Sequence, residues 1–397
     1  LSPAIDLVRA RADTPGCAHV VHLNNAGASL TPQPVLETVI DHLRLEARIG
    51  AYEAAEQTVD AITAAGASIA RLVGASPHEI AYAESATRAW DHVFYSLPLG
   101  PGDRILTHRA EYASNYMAML QVANRTGARI EIVPSEETGE IDVTALTAML
   151  DDRVALVAIT HVPTSSGLVN PAAAVGAALA GTGIPYLLDA CQSVGQLPID
   201  VAAIGCDFLA TTGRKFLRAP RGTGFLYVAA DWIERLQPGV IDLRSAEWTS
   251  AGTYELRPDA RRFEQFERSY ACYLGLGAAA DYALTFGLDA ISERVGALAE
   301  SLRERLRART GVTVLDQGRE QCGIVTFAID GHDPDAIRAL AAARHINVWA
   351  TPASMARLDF GPRGIESAVR ASVHYFNTDA ELDQLCAALP PATHRPT

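Results

Sequence analysis

The residue with the sharpest chemical signature is Lys215, the only lysine in a chain of 397 residues whose other 32 basic side chains are all arginine. Coding drift from Lys to Arg explains the missing lysines wherever only charge matters, but not the one that stays. A guanidinium keeps its proton above about pH 12 and is no amine nucleophile. A primary amine in a desolvated pocket can lose its proton and condense with an aldehyde to a Schiff base. The second group is Asp189, which closes the apolar run Ile184-Pro185-Tyr186-Leu187-Leu188. Lys215 follows another such run, Phe208-Leu209-Ala210, through Thr211-Thr212-Gly213-Arg214. A carboxylate at the end of one parallel strand and a lysine after the next suit a pyridoxal phosphate site. There the acid pairs with the protonated pyridine nitrogen and the lysine holds the aldehyde.

Asp189 to Gln192 and Thr212 to Lys215 resemble the Asp-x-x-Gln and [Ser/Thr]-Gly-x-Lys motifs of the class V aminotransferase and cysteine desulfurase family, fold-type I pyridoxal phosphate enzymes. The resemblance runs from about Asn24 to Leu385. It implies an α/β fold: a large cofactor-binding domain at 20–255, with a mainly parallel seven-stranded sheet flanked by helices. It also implies a smaller α+β domain from 1–19 and 256–397 with a long linking helix, and a homodimer.

The same resemblance implies roles for single residues. Lys215 would bind the cofactor and move the substrate Cα proton, Asp189 would hold the ring nitrogen and Gln192 the ring hydroxyl. Thr87 with Ala86, and Thr212 with Arg214, would hold the phosphate, and a guanidinium suits that anion. Tyr112 stands where relatives stack a ring, usually His, on the pyridine; a core tyrosine is the plain alternative. Thr164 stands where several desulfurases carry Asn. Arg370, in Arg370-Ala371-Ser372, matches the arginine that clamps the substrate carboxylate, and the loop with Asn25 and Ala26 matches one bordering the substrate pocket, though a simple turn fits it too. Relatives follow Arg-Phe-Glu with a Gly-Thr pair that reaches the other subunit; after Arg262-Phe263-Glu264 that pair is missing.

The elements that must position these groups read as alternating strands and helices. Helix is expected at 3–12, then a strand at His19–Leu23, then helical periodicity from Pro34 to Val73, broken near Ile49–Tyr52. Strands are expected at Ile80–Ala83, Arg104–Thr107, 129–133, 154–160, 184–188, 208–210 and 222–228. The small residues after Ala83 suit a helix start, where the dipole favours an anion; Ser85-Ala86-Thr87 serves equally as an ordinary cap. Residues 241–261 read as irregular and polar, 267–309 as one long helical stretch, with strands near 323–328, 346–349 and from Val369, and helices near 335–344 and 379–388.

Composition narrows the class. A net charge of −13 argues against nucleic acid or an anionic membrane as partner. No run of about 18 apolar residues suggests a membrane span, and Arg9, Arg11 and Asp13 break any signal-peptide core. The six cysteines are widely spaced with no metal pattern, so reduced, cytoplasmic thiols are expected. The chain begins at Leu1 and ends in Pro390-Pro391-Ala392-Thr393-His394-Arg395-Pro396-Thr397; a trimmed protein and a domain of a longer polypeptide both give such ends.

Within the resemblance, desulfurases lift sulfur with a cysteine on a mobile loop of the small domain. The matching stretch here, Ile346 to Arg357, has no cysteine, and Ser354 lies near the expected position. The expectation is therefore a carbon–sulfur lyase: β-elimination from a free or carrier-tethered cysteine S-conjugate, of thiocysteine or cysteine sulfoxide type, giving pyruvate and ammonia. Thiocysteine lyases built into polyketide synthases belong to this branch. An isopenicillin-N-epimerase-like or aminotransferase activity is the alternative, with desulfuration behind it. A non-catalytic scaffold would not need to retain the one lysine.

Overall fold

The computed structural model describes residues 5–393, so Leu1 to Ala4, including the first two residues of the expected first helix, and His394 to Thr397 of the proline-rich tail lie outside it. A helix at Leu7–Ala12 leads to strand β1 (Val21–His22) and then to helices Gln33–Ile49, Ala51–Gln57 and Val59–Leu72. The expected break falls at Gly50, whose φ of 103° is a region where glycine alone escapes a steric penalty.

The main sheet comprises β2 (Ile80–Ala83), β3 (Arg104–His108), β4 (Arg129–Val133), β5 (Val154–Thr160), β6 (Tyr186–Asp189), β7 (Phe208–Thr212) and β8 (Gly224–Val228). Their order is β2-β8-β7-β6-β5-β3-β4. Neighbours from β7 across to β4 are parallel, and β8 runs antiparallel between β7 and β2. Every residue of β2, β3, β6, β7 and β8 is buried. That explains the largely apolar runs of β2, β6 and β8, because helices cover both faces of such a sheet. These directions bring the carboxyl ends of β2, β3, β5, β6 and β7 and the amino end of β8 to one edge, where open α/β sheets bind ligands. In register, Thr160 sits opposite Asp189, Asp189 opposite Ala210, and both Thr212 and Ala83 opposite Gly224.

Past β8 the sequence reading needs correction. The stretch read as irregular holds an antiparallel hairpin, β9 (Ala246–Ser250) and β10 (Thr253–Leu256). Nearly all of its residues are exposed, so no alternation of buried and exposed side chains betrays it. The long helical stretch is two helices, Tyr270–Phe286 and Leu288–Arg307, divided at Gly287 with φ 83°. The first is buried almost all round, and its glycines allow the contact: a Cβ on Gly277 would lie 2.4 Å from the Ala65 Cβ. Leu276 of the same helix backs Gly213, whose added Cβ would lie 3.0 Å from it, so this helix supports the loop carrying Lys215.

The C-terminal part contains β11 (Val312–Val314), β12 (Ile324–Ile329), β13 (Ile346–Asn347), β14 (Trp349–Pro352) and β15 (Ser367–Ser372), with helices Pro334–Ala342 and Asp379–Ala388. β11-β12-β15-β14 form an antiparallel sheet. The sequence misses β11, three partly exposed residues. It also merges β13 and β14, which separate because β13 pairs with β1 and β14 with β15. Asn24 bridges Ser372 in parallel, so the N-terminal segment is stitched to this second sheet.

Candidate active site

The chain leaves β7 at Thr212 and closes a compact loop. Gly213 N–H donates to Thr223 O at 2.9 Å, Arg218 N–H to Lys215 O at 3.0 Å, and Ala219 N–H to Gly213 O at 2.9 Å. Arg218 adopts a left-handed φ of 63°, which costs a non-glycine residue on the order of 1 kcal/mol. Its buried guanidinium offsets that cost by donating to Leu30 O (2.9 Å), Tyr375 Oη (2.7 Å) and Thr14 Oγ1 (2.5 Å) and lying 4.5 Å from the Phe376 ring centroid. The loop holds Lys215 at 6% exposure. Burial lowers its pKa; Arg214 pushes the same way, while Cys191 and Asp189 pull back. An amine so placed reaches its neutral, reactive form at a lower pH than a surface lysine.

Beside it, at the carboxyl edge of the sheet, is a cavity of about 210 Å³. Nine of the residues singled out in the sequence line it: Ala86, Thr87, Tyr112, Thr164, Asp189, Gln192, Thr212, Arg214 and Lys215. Each arrives at a strand end or in the loop that follows, except Ala86 and Thr87, which open the helix after β2. Asp189, 4% exposed, accepts from Cys191 N–H at 2.9 Å and from Asn115 Nδ2 at 2.8 Å. Burial raises its pKa, opposed by those two hydrogen bonds and by Lys215. Gln192 Nε2 donates to Thr164 Oγ1 (3.0 Å) and Ala26 O (3.1 Å), leaving its buried Oε1 without a partner. Thr212 Oγ1 donates to Thr223 O at 3.0 Å. Arg214 lines the cavity but also donates through Nη1 to Gly27 O. At the far end the helix Ala86–Phe94 starts, capped by Ser85, whose Oγ accepts from Arg88 N–H at 3.2 Å.

Three expected residues stand back from the cavity wall. Ala26 contributes its carbonyl to Gln192. Asn25 spends its side chain on Ser372 O (2.7 Å), His22 O (3.3 Å) and the Ser29 hydroxyl (2.7 Å), tying the loop to β15. Its neighbour Asn24 presents Oδ1 to Arg370 Nη2 at 3.2 Å. Arg370 donates through Nη1 to both Thr164 O and Thr164 Oγ1 at 2.8 Å, so it meets the cavity through Thr164. It is buried and forms no ion pair among the described residues, and its Nε has no partner. Burial, reinforced by Arg214, lowers its pKa to about 10. It is a desolvated cation in need of an anion.

Sequence reasoning missed Asn115 and Arg221, which line the cavity, and Glu111, which lies behind it on Asn115. Asn115 carried a readable signal: with Ala118, Met119 and Val122 it lies on the buried stripe of helix Ala113–Thr126, a polar residue on an apolar face. Glu111 and Arg221 carried none, since strand ends and turns are commonly charged.

The residues fit pyridoxal phosphate. The buried Asp189 carboxylate has no ion pair among the described residues and suits a cationic ring nitrogen. The orphaned Gln192 Oε1 can accept from a ring hydroxyl, and Lys215 is the amine for the aldehyde. Free N–H groups at the start of a helix suit the phosphate. Gly224 permits that helix to sit close: a Cβ there would lie 2.4 Å from Thr211 O and 3.1 Å from the Ser85 carbonyl carbon.

Comparison with known proteins agrees with this geometry. Residues 21–385 match the family described as aminotransferase class V. A probable cysteine desulfurase of Xylella fastidiosa (strain Temecula1) is 31% identical over 97% of this chain and 95% of its own. The solved apo structure of a cysteine desulfurase from Thermococcus onnurineus superposes with a TM-score of 0.90 at 25% identity, covering 97% of each chain. The cystine C–S lyase C-DES, solved with its product cysteine persulfide, shares the fold: TM-score 0.84, 24% identity, 94% of this chain and 98% of that one. A C-DES mutant has been solved with glycine covalently linked to its pyridoxal phosphate. With the lysine, the buried carboxylate and the sheet edge all in place, the chain belongs to the class V aminotransferase family of fold-type I, pyridoxal phosphate-dependent enzymes.

Proposed function

We propose that the enzyme is a carbon–sulfur lyase that takes an L-cysteine S-conjugate, of thiocysteine or cysteine sulfoxide type, and water to a sulfur-bearing fragment, pyruvate and ammonia. Pyridoxal phosphate, when bound, supplies an aldehyde that captures the substrate nitrogen and a ring that withdraws electrons from Cα. Lys215, its proton affinity lowered by burial, takes the Cα proton. The electron pair left at Cα forms the Cα–Cβ double bond as the Cβ–S bond breaks, and the sulfur leaves with the bonding pair. The released enamine takes up water to give pyruvate and ammonia. Arg370, with Asn24 beside it, is the buried cation that takes the substrate carboxylate. Asp189, held by Asn115 and the Cys191 N–H, is the anion that keeps the ring nitrogen protonated.

The observation that carries this reading is the missing thiol on the small-sheet side. From β14 the chain passes through Ala353-Ser354-Met355 into the short helix Arg357–Phe360, with Ser354 exposed and no cysteine in the segment. Elimination needs none, because the substrate carries its own leaving group.

Desulfuration remains the second reading, favoured by the names of the relatives and by Cys191, the one thiol lining the cavity among the described residues. Burial raises the pKa of that thiol, against the opposing pull of Lys215, which leaves it a weak nucleophile. The test is to supply cysteine and a panel of S-substituted cysteines and to follow pyruvate, alanine and protein-bound sulfur together. Pyruvate from the conjugates is expected. Alanine as the main product, with sulfur loaded on the protein, would replace the lyase with a desulfurase.

A further inference from the structure

A second buried carboxylate lies behind the site, and the proposed chemistry does not use it. Glu111, directly before Tyr112, is 6% exposed. Its Oε1 accepts from Thr160 Oγ1 (2.6 Å), Tyr112 N–H (2.7 Å) and Asn115 Nδ2 (2.9 Å), and its Oε2 accepts from Thr107 Oγ1 (2.8 Å). No cation pairs with it among the described residues. The same Asn115 nitrogen donates its other hydrogen to Asp189 Oδ2 at 2.8 Å. One amide therefore bridges two buried acids, and the second of them is the ring-nitrogen partner. The groups around Glu111 come from β3, β5, β6 and the helix Ala113–Thr126, and only Asp189 among them is charged. Lys215 and Cys191 lie beyond it and act on Asp189. His108, on β3, turns away to Ser135 Oγ at 2.8 Å.

We propose that Glu111 is a positioning residue that acts on Asp189 through Asn115, so that the hold of the site on the cofactor's ring proton follows the ionisation of Glu111. Burial, together with the Asp189 charge, raises the Glu111 pKa to about 7, opposed by the hydrogen bonds from Thr160, Asn115 and Thr107. On the acid side of neutrality Glu111 is a neutral acid, one threonine hydroxyl turns to accept from it, and Asp189 stands alone opposite the ring. As pH rises, Glu111 ionises and adds a second negative charge on the same side. The added charge strengthens the grip on the ring proton under the conditions that would otherwise strip it. The inference rests on the cofactor and not on the lyase reading, and it holds whichever reaction the bound amino acid undergoes.

The test compares wild-type holoenzyme with Glu111→Gln, which keeps size and hydrogen bonding but cannot ionise. The absorbance of the bound cofactor is titrated across the neutral range. Wild type is expected to show a step near pH 7 that is absent from the variant, with the ring proton held about tenfold more weakly in the variant at alkaline pH. Superimposable titrations would overturn the proposal. A measurement that needs no variant guards against a misfolded one: carbon NMR of wild-type apoprotein labelled at the glutamate carboxyl carbon. One glutamate carboxyl titrating near pH 7 is expected. A spectrum in which every glutamate is ionised well below neutrality would overturn the proposal without reference to activity.

Discussion

The two sides of the cavity are built on different principles. The side belonging to the main sheet is an array of parallel strand ends, where Asp189 closes β6, Thr164 follows β5 and Lys215 follows β7. Each of its groups comes within a few residues of the strand that aims it. The side belonging to the second sheet supplies Arg370 from the middle of β15, opposite Thr326 of β12 and Trp349 of β14, and completes itself with Asn24 from the far end of the chain. One side is assembled locally and defines which cofactor is held. The other is assembled across the whole sequence and, in the function proposed above, meets the substrate.

Substitutions on the two sides should separate these jobs. The largest effect is expected from Lys215→Arg, which keeps the positive charge and removes the only reactive amine. Turnover should fall about a thousandfold or more, and the yellow absorption of the lysine-bound cofactor should disappear. Normal turnover in this variant would undo the assignment of the main-sheet side. Arg370→Ala should instead leave that absorption in place and raise KM for the amino acid. Loss of a buried charge pair to a carboxylate costs about 2–5 kcal/mol. Cofactor loss with unchanged KM would move Arg370 to the other side of the comparison. The smallest effect is expected from Cys191→Ala. The thiol borders Lys215, but only the backbone N–H of Cys191 holds Asp189, and the substitution keeps it. Pyruvate formation should change less than about threefold, as for a small packing residue. A collapse of turnover, measured beside the wild type with the same conjugate, would make the thiol a participant and favour desulfuration.

The wall nearest the cofactor was legible because its signals are short-range. A sole lysine, a carboxylate closing an apolar run and a glycine-flanked loop each announce themselves within a few residues. The strand alternation around them was equally legible up to Val228, since strands buried on both faces are mostly apolar. Legibility failed where burial stops patterning the sequence, as in the exposed hairpin β9–β10, and where a single glycine divides a helix, as at Gly287.

The sequence by itself determined the cofactor chemistry, because the one primary amine and the acid that matches it are residue types for which the chain has no local substitute. Only the tertiary structure decided how those groups are tuned. Asn115 joins Glu111 to Asp189 across two strand ends and a helix. Asn25 secures a loop while Asn24 faces Arg370, and Arg370 reaches the cavity through Thr164. Apart from the short Glu111–Asn115 link, these are contacts between residues tens to hundreds of positions apart. A hydrogen bond of that span leaves no periodicity or motif in the chain, since it exists only once the two sheets have packed and excluded water from the polar groups between them.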